Sequence, residues 1–383
     1  MDKKLEKQKL KICFVSLHSY QLLKNKNLGY AGGAEVQQIA LAKELSKIGH
    51  KISFITYGEN HGNVEIADGI EIVPAYTRSS VSDLSFTKKM IHIWKKMKEV
   101  DAGIYFHQAG APGITSVFGA FHKKKIVNII ASDADVTGEI IINKGSAVGF
   151  LNKMGNWLDI KLSNIVVSQN DFQKSKLKNR FNVNSITIMN AFHIPPRCNI
   201  DDKDGFVLWV GMIREVKQPF LYLEIAKQFP KHRFVMIGGK GENPELFRKI
   251  KNAANKIPNL DFKGFVPHNR IYDYYKKAIL LVNTSKTEGF PYVFQEAWVH
   301  LMPIISLNAD PDKVISKYKL GYCSKNFDQM IKDIGTMLED DKLRRTMAEN
   351  GRRYVEENND VKVIGNHYDN LFENLLRKDM KMI

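Results

Sequence analysis

Two glutamates, Glu288 and Glu296, stand with seven residues between them in the stretch Thr287-Glu288-Gly289-Phe290-Pro291-Tyr292-Val293-Phe294-Gln295-Glu296. The apolar run Ile279-Leu280-Leu281-Val282-Asn283 precedes this stretch, and Ala297-Trp298-Val299 follows it. The pattern predicts a strand, a tight Gly/Pro turn, and a helix that begins close to Pro291. A helix start leaves backbone N–H groups unpaired and carries partial positive charge, so it is suited to a phosphate. A carboxylate at the turn and another about two helical turns later can each accept from hydroxyls of one extended, polyhydroxylated ligand. Together they point to a site for a sugar joined to a nucleoside diphosphate.

Glu-Gly-Phe-Pro followed by the second glutamate resembles the E-x7-E signature of retaining GT-B glycosyltransferases, in particular glycosyltransferase family four. The similarity runs from Gly32-Gly33-Ala34-Glu35 to the last helix. It implies that Glu288 holds sugar hydroxyls and Glu296 the ribose hydroxyls, with Gly289, Phe290, Pro291 and Val293 lining the donor. Gly33, in a glycine loop that opens the first long helix, would face the same ligand. That spacing is not the G-x-G-x-x-G of dinucleotide binders. In Val210-Gly211-Met212-Ile213-Arg214-Glu215-Val216-Lys217 the resemblance places Lys217 on the donor diphosphate. Met212 stands where the family carries arginine. Arg214, two residues on, has the reach and the forked donor face to replace it. Phe265, in Lys263-Gly264-Phe265-Val266-Pro267, falls in the loop whose backbone meets the nucleobase in the family, and a plain Gly/Pro turn reads equally well there.

His107 ends an apolar strand at the edge where open α/β sheets place their ligands, and family enzymes often carry His or Arg there beside the transferred sugar. Asp133-Ala134-Asp135 has the look of a metal-binding Asp-x-Asp but lies far along the chain from Glu288. It reads as an acidic loop near the acceptor or as plain surface, with no metal.

Composition bounds these readings. The chain has 383 residues, 44% of them hydrophobic, which suits two soluble domains. No run approaches the roughly 18 apolar residues of a membrane-spanning helix. The lysine-rich start, Met1 to Lys9, has no apolar segment of a signal peptide. Three scattered cysteines predict free thiols in a reducing cytosol. Net charge is +16, and through residue 195 there are 26 basic against 16 acidic residues. Such a surface favours anionic partners. Nucleic acid is the weakest of these, because no nucleic-acid-binding motif accompanies the charge. The stretch Ser85–Val100 sets Phe86, Met90, Ile93, Trp94, Met97 and Val100 on one stripe and Lys88, Lys89, Lys95, Lys96 and Lys98 largely elsewhere. The stripe is expected to lie on a sheet while the lysines face lipid head groups, with Lys123-Lys124-Lys125 as a second basic cluster.

Strand patterns alternate with helical ones throughout, the mark of parallel α/β sheets. The expected fold is α/β and GT-B, two Rossmann-like domains with parallel sheets facing an interdomain cleft. They would span 1–193 and 200–362, with 363–383 returning to the first. The expected activity is metal-independent, configuration-retaining transfer from a nucleoside-diphosphate sugar to a glycan or lipid-linked acceptor in cell-surface polysaccharide synthesis. It needs no cofactor. The location would be cytoplasmic, at the inner face of an anionic membrane. A sugar-nucleotide epimerase and a silent sugar-nucleotide binder remain open, the latter because of Met212.

Overall fold

The computed structural model describes residues 9–24, 33–58, 63–77, 86–108, 113–138 and 147–380. Met1 to Gln8, Gly32, Ser85, Ala109 and Gly110 lie outside them. The chain forms two compact units, Met1–Lys26 with Ala34–Ala191 and Val361–Ile383, and Asn27–Gly33 with Phe192–Asp360.

The first unit is built on eight strands: β1 (Lys11–Val15), β2 (Lys51–Gly58), β3 (Glu65–Ala67), β4 (Ile70–Thr77), β5 (Ile104–His107), β6 (Lys125–Ile129), β7 (Ile165–Ser168) and β8 (Ile186–Thr187). Their order is β3-β4-β2-β1-β5-β6-β7-β8. All pairs are parallel except the hairpin β3–β4. Between them run α1 (Tyr20–Leu23), α2 (Gly33–Ile48), α3 (Phe86–Val100), α4 (Ile114–His122), α5 (Asp133–Thr137), α6 (Ala147–Leu162) and α7 (Asp171–Phe181). In β1, Ile12 and Phe14 enter one core while Cys13 and Val15 enter the other. A strand buried on both faces needs helices on both, and α2 covers the first face while α3 and α4 cover the second. Ile93 and Met97 of α3 are buried there, so its apolar stripe belongs to the core.

The second unit has six strands, all parallel: β9 (Phe206–Val210), β10 (Phe234–Ile237), β11 (Leu260–Gly264), β12 (Ala278–Asn283), β13 (Ile304–Ser306) and β14 (Gly321–Cys323), in the order β11-β10-β9-β12-β13-β14. Its helices are α8 (Pro219–Gln228), α9 (Pro244–Ala254), α10 (His268–Lys277), α11 (Tyr292–Val299), α12 (Val314–Tyr318), α13 (Phe327–Glu339) and α14 (Asp341–Asn358). Order reverses between β9 and β12, the switch point at which open sheets bind ligands. Trp298 of α11 packs on Gly351 of α14 so closely that a Cβ there would meet the Trp298 Cδ1 at 2.5 Å.

The last helix, α15 (Val361–Met380), belongs to the first unit. Its Ile364, Tyr368 and Phe372 join the core formed by β1, β2 and β5. His50 Nδ1 accepts from the Leu10 N–H, which leaves its Nε2–H to donate to the buried Asp369 of α15 at 2.9 Å.

Candidate active site

The site in the second unit begins with two loops held together at the switch point. The Lys286 N–H donates to the Val216 carbonyl at 2.8 Å. Thr284 Oγ1 donates to the Lys217 carbonyl at 2.7 Å and accepts from Trp209 Nε1 at 3.0 Å. These bonds fix the 3-10 turn Glu215–Lys217 beside the end of β12. Lys217 Nζ thereby reaches Glu288 Oε1 and donates to it. Ser285 Oγ donates to the same oxygen at 2.6 Å. The Glu288 carboxylate is held between a cation and a hydroxyl at the mouth of the turn that leads into α11.

Gly289, Phe290 and Pro291 are buried, and Pro291 caps α11 at φ −63° and ψ 124°. Tyr292 and Val293 open the helix half-buried. One turn on, Glu296 is buried and accepts from the Tyr275 hydroxyl at 2.7 Å. The His300 Nδ1–H donates to the Glu296 carbonyl at 2.7 Å, and its ring stacks on Tyr272 and Tyr275. Burial pushes the His300 imidazole down to about 4. The buried Tyr275 and Tyr292 hydroxyls are pushed well up, by burial first, with the Glu296 charge contributing.

Arg214 takes a different partner. Its Nη2 lies 3.1 Å from Glu242 Oε1, and its buried Nε has no hydrogen-bond partner among the described residues. The loops after β9 and β10 touch here, and a Cβ on Gly241 would stand 2.4 Å from the Ile213 carbonyl. Met212 is half-buried in the same loop. Phe265 is half-buried and follows Gly264, whose φ of +66° turns the chain out of β11. Gly33 is exposed as the first residue of α2 and groups with the second unit.

His107 lies in the first unit, buried at the carboxyl end of β5. Its Nε2 is 3.4 Å from Asp159 Oδ2, and its buried Nδ1 has no partner among the described residues. Asp159 is anchored by the Gly113 N–H at 2.7 Å and the Ser116 hydroxyl at 2.6 Å. Gln108, next along, donates to Gln37, and among the described residues its own Oε1 and that of Gln38 are unpartnered. Buried, unmatched polar atoms at a strand's carboxyl edge suit hydroxyls of a ligand.

Asp133 and Asp135 are tied into local hydrogen bonds rather than lying as plain surface. Ser132 and Asp135 form a capping box on α5, with Asp135 Oδ2 accepting from Ser132 N at 2.8 Å and Ala131 N at 3.1 Å. Asp133 Oδ1 accepts from Gln173 at 2.9 Å. Both carboxylates serve local structure. Tyr275, Ser285 and Thr284 escaped the sequence reading, although Tyr272-Asp273-Tyr274-Tyr275 just upstream of β12 is visible in the sequence.

Residues 192–354 match the family model of glycosyl transferases group 1. An uncharacterised glycosyltransferase of Haemophilus influenzae is 25% identical over 351 residues, covering 88% of this chain and 96% of that protein. The O-antigen biosynthesis glycosyltransferase WbnH of Escherichia coli is 29% identical over 120 residues, 31% of this chain and 33% of its own. Among solved structures, sucrose-phosphate synthase of Thermosynechococcus elongatus superposes with a TM-score of 0.80 at 16% identity, over 97% of this chain and all of that one. The two parallel-sheet units, the matched domain around Glu288 and the relatives agree: the chain has the GT-B fold, carries a domain similar to the glycosyl transferases group 1 and is a glycosyltransferase.

Proposed function

We propose that the protein transfers a sugar from a nucleoside-diphosphate sugar to a glycan or lipid-linked acceptor, with retention of configuration and without a metal. The observation that carries this reading is the Lys217–Glu288 pair at the entrance to α11, with Glu296 held by Tyr275 one turn further in. With donor present, Glu288 accepts from sugar hydroxyls and Glu296 from those of the ribose. Lys217 then moves its charge to the diphosphate, joined by the N–H groups at the start of α11. Arg214 joins them once it exchanges Glu242 for phosphate. The bond from the anomeric carbon to the diphosphate oxygen breaks while the acceptor oxygen bonds to the same face. The acceptor proton leaves to the departing diphosphate. No side chain is assigned as nucleophile. His107 and Gln108, with unmatched buried atoms, are assigned to sugar or acceptor hydroxyls.

The O-antigen relative supports an acceptor in cell-surface polysaccharide synthesis, and the proposal sets the work at the inner, cytoplasmic membrane face. No helix among the described residues is long and apolar enough to cross a membrane. The contact proposed is peripheral.

Thermal shift against UDP, GDP, ADP and dTDP identifies the nucleotide, because a ligand bound only by the folded state raises its melting temperature. The matching sugar nucleotides are then supplied with and without lipid-linked and soluble oligosaccharide acceptors, in chelator. Acceptor-dependent product of unchanged anomeric configuration is the expected result. Conversion of donor alone would make the protein an epimerase. Binding with neither transfer nor hydrolysis would make it a silent binder.

A further inference from the structure

The second face of the first unit ends in a surface that no part of the chemistry uses. α4 and α6 pack together there through Asp159, which Gly113 and Ser116 hold. On the outward side α6 presents Phe150, Lys153, Met154, Trp157 and Lys161, at helical spacing that keeps them on one face. Phe150 is 68% and Trp157 49% exposed. α4 adds Val117 and Phe121, the latter 76% exposed with its ring 5.9 Å from that of Trp94. Several large exposed apolar side chains on adjacent helices mark an interaction surface. Where the two helices end, a surface cavity of about 410 Å³ opens between Lys123, Lys124, Lys125, Leu162 and Asn164.

The exposed charges that α4, α6 and the cavity lining contribute to this face are basic. α4 contains no acidic residue, and the one in α6 is the buried Asp159. Lys153 and Lys161 stand within the aromatic row, and Lys161 also donates to the Phe181 carbonyl. At the cavity, Asp101 offsets Lys124 at 2.7 Å. A second copy in a two-fold contact would bring the same lysines face to face, which costs energy. An anionic bilayer instead offers phosphates to the lysines and an acyl boundary to Phe121, Phe150 and Trp157. We infer that the α4–α6 face is a monotopic docking surface for an anionic lipid bilayer, with the aromatic rings in the interface and the Lys123–Lys125 cavity on head-group phosphates. It rests on the proposed membrane contact and moves that contact from the lysines of α3 to α4 and α6.

The full chain is floated at low salt with vesicles of equal phosphatidylcholine and phosphatidylglycerol, and with phosphatidylcholine alone. Wild type is expected to float with the anionic vesicles only, with a blue shift in tryptophan emission that W157F removes. F121S/F150S/W157S is expected to lower partitioning by about tenfold or more through lost apolar burial. Its nucleotide-induced thermal shift should be unchanged, which shows that it folds. K123Q/K124Q/K153Q, which leaves the rings in place, should abolish the preference for anionic lipid. No flotation of wild type would overturn both the membrane contact and this face. Flotation that the α4–α6 variants leave intact but K95Q/K96Q/K98Q removes would overturn this face alone. A concentration-dependent dimer broken by the aromatic variant, without lipid binding, would put a second copy in place of the bilayer.

Discussion

Glu288 has two partners whose removal should have different effects. Lys217 gives it charge, and Ser285 gives it direction. K217A should lower kcat by roughly 100- to 1000-fold, the usual loss when a cation facing developing charge is removed. S285A should cost less than tenfold, since only a hydroxyl contact goes. Steady-state kinetics on both separates the two; equal losses would mean that Lys217 only positions Glu288. Y275F removes the hydroxyl that orients Glu296 and is expected to raise donor KM several-fold with kcat held. His300 makes the second unit acid-sensitive. Its imidazole is held down to about 4 against an ordinary 6.5, so between these values the unfolded chain binds the extra proton. Stability should therefore fall as pH drops from 6.5 through 4, by about 3 kcal/mol in all. H300Q should flatten that part of the pH–melting curve. Glu288 and Glu296 stand out in sequence because their spacing sits on a strand–turn–helix, and Lys217 stands out through the resemblance alone. The partners of Arg214, Glu296 and His107 were not, because Glu242, Tyr275 and Asp159 reach them only through folding.

The helix α11 owes its position to a contact without polar atoms. Gly351 lets α14 approach Trp298, and a methyl there would overlap the indole. G351A is predicted to destabilise the second unit by about 1–3 kcal/mol, as overpacking does, and to raise donor KM by shifting α11. Denaturant melts and donor titration check the pair of effects; loss of stability alone would separate α14 from the site. Periodicity made most elements readable, among them α2, α6 and α7, since most strands between them are buried on both faces and read as apolar runs. The hairpin β3–β4 was passed over, although Asp68 and Gly69, both at positive φ, form its turn. β3 lies at the sheet edge, where only one partner and partial burial shape the sequence, while β4 is paired on both sides and buried. The α3 stripe read correctly as core, but the face of α6 that stays exposed carries the same kinds of residue. Periodicity shows that a helix has an apolar face, and only the neighbours decide whether that face is covered.

At the scale of the whole chain, the first unit is discontinuous and is completed by α15. D369A would leave the buried His50 Nε2–H without an acceptor and is expected to cost about 2 kcal/mol. D369N, which keeps an oxygen in place, should recover much of it, and thermal melts of the two distinguish a lost hydrogen bond from lost packing. The apolar spacing of Ile364, Tyr368, Leu371, Phe372 and Leu375 announced that this helix needs a partner. Its partner surface lies more than 250 residues earlier, in β1, β2 and β5, beyond the reach of any local pattern. That arrangement sets a timetable on the ribosome. Residues 192–360 form one unbroken stretch and can fold as they emerge, whereas Phe14, Phe54 and Phe106 wait for Tyr368 and Phe372. At about 5–20 residues per second, the earlier-made sheet spends on the order of ten seconds or more with one face only partly covered. During that time the nascent chain offers an apolar surface to trigger-type chaperones, and a stop codon placed after residue 360 should send the product to aggregates rather than to a smaller working enzyme.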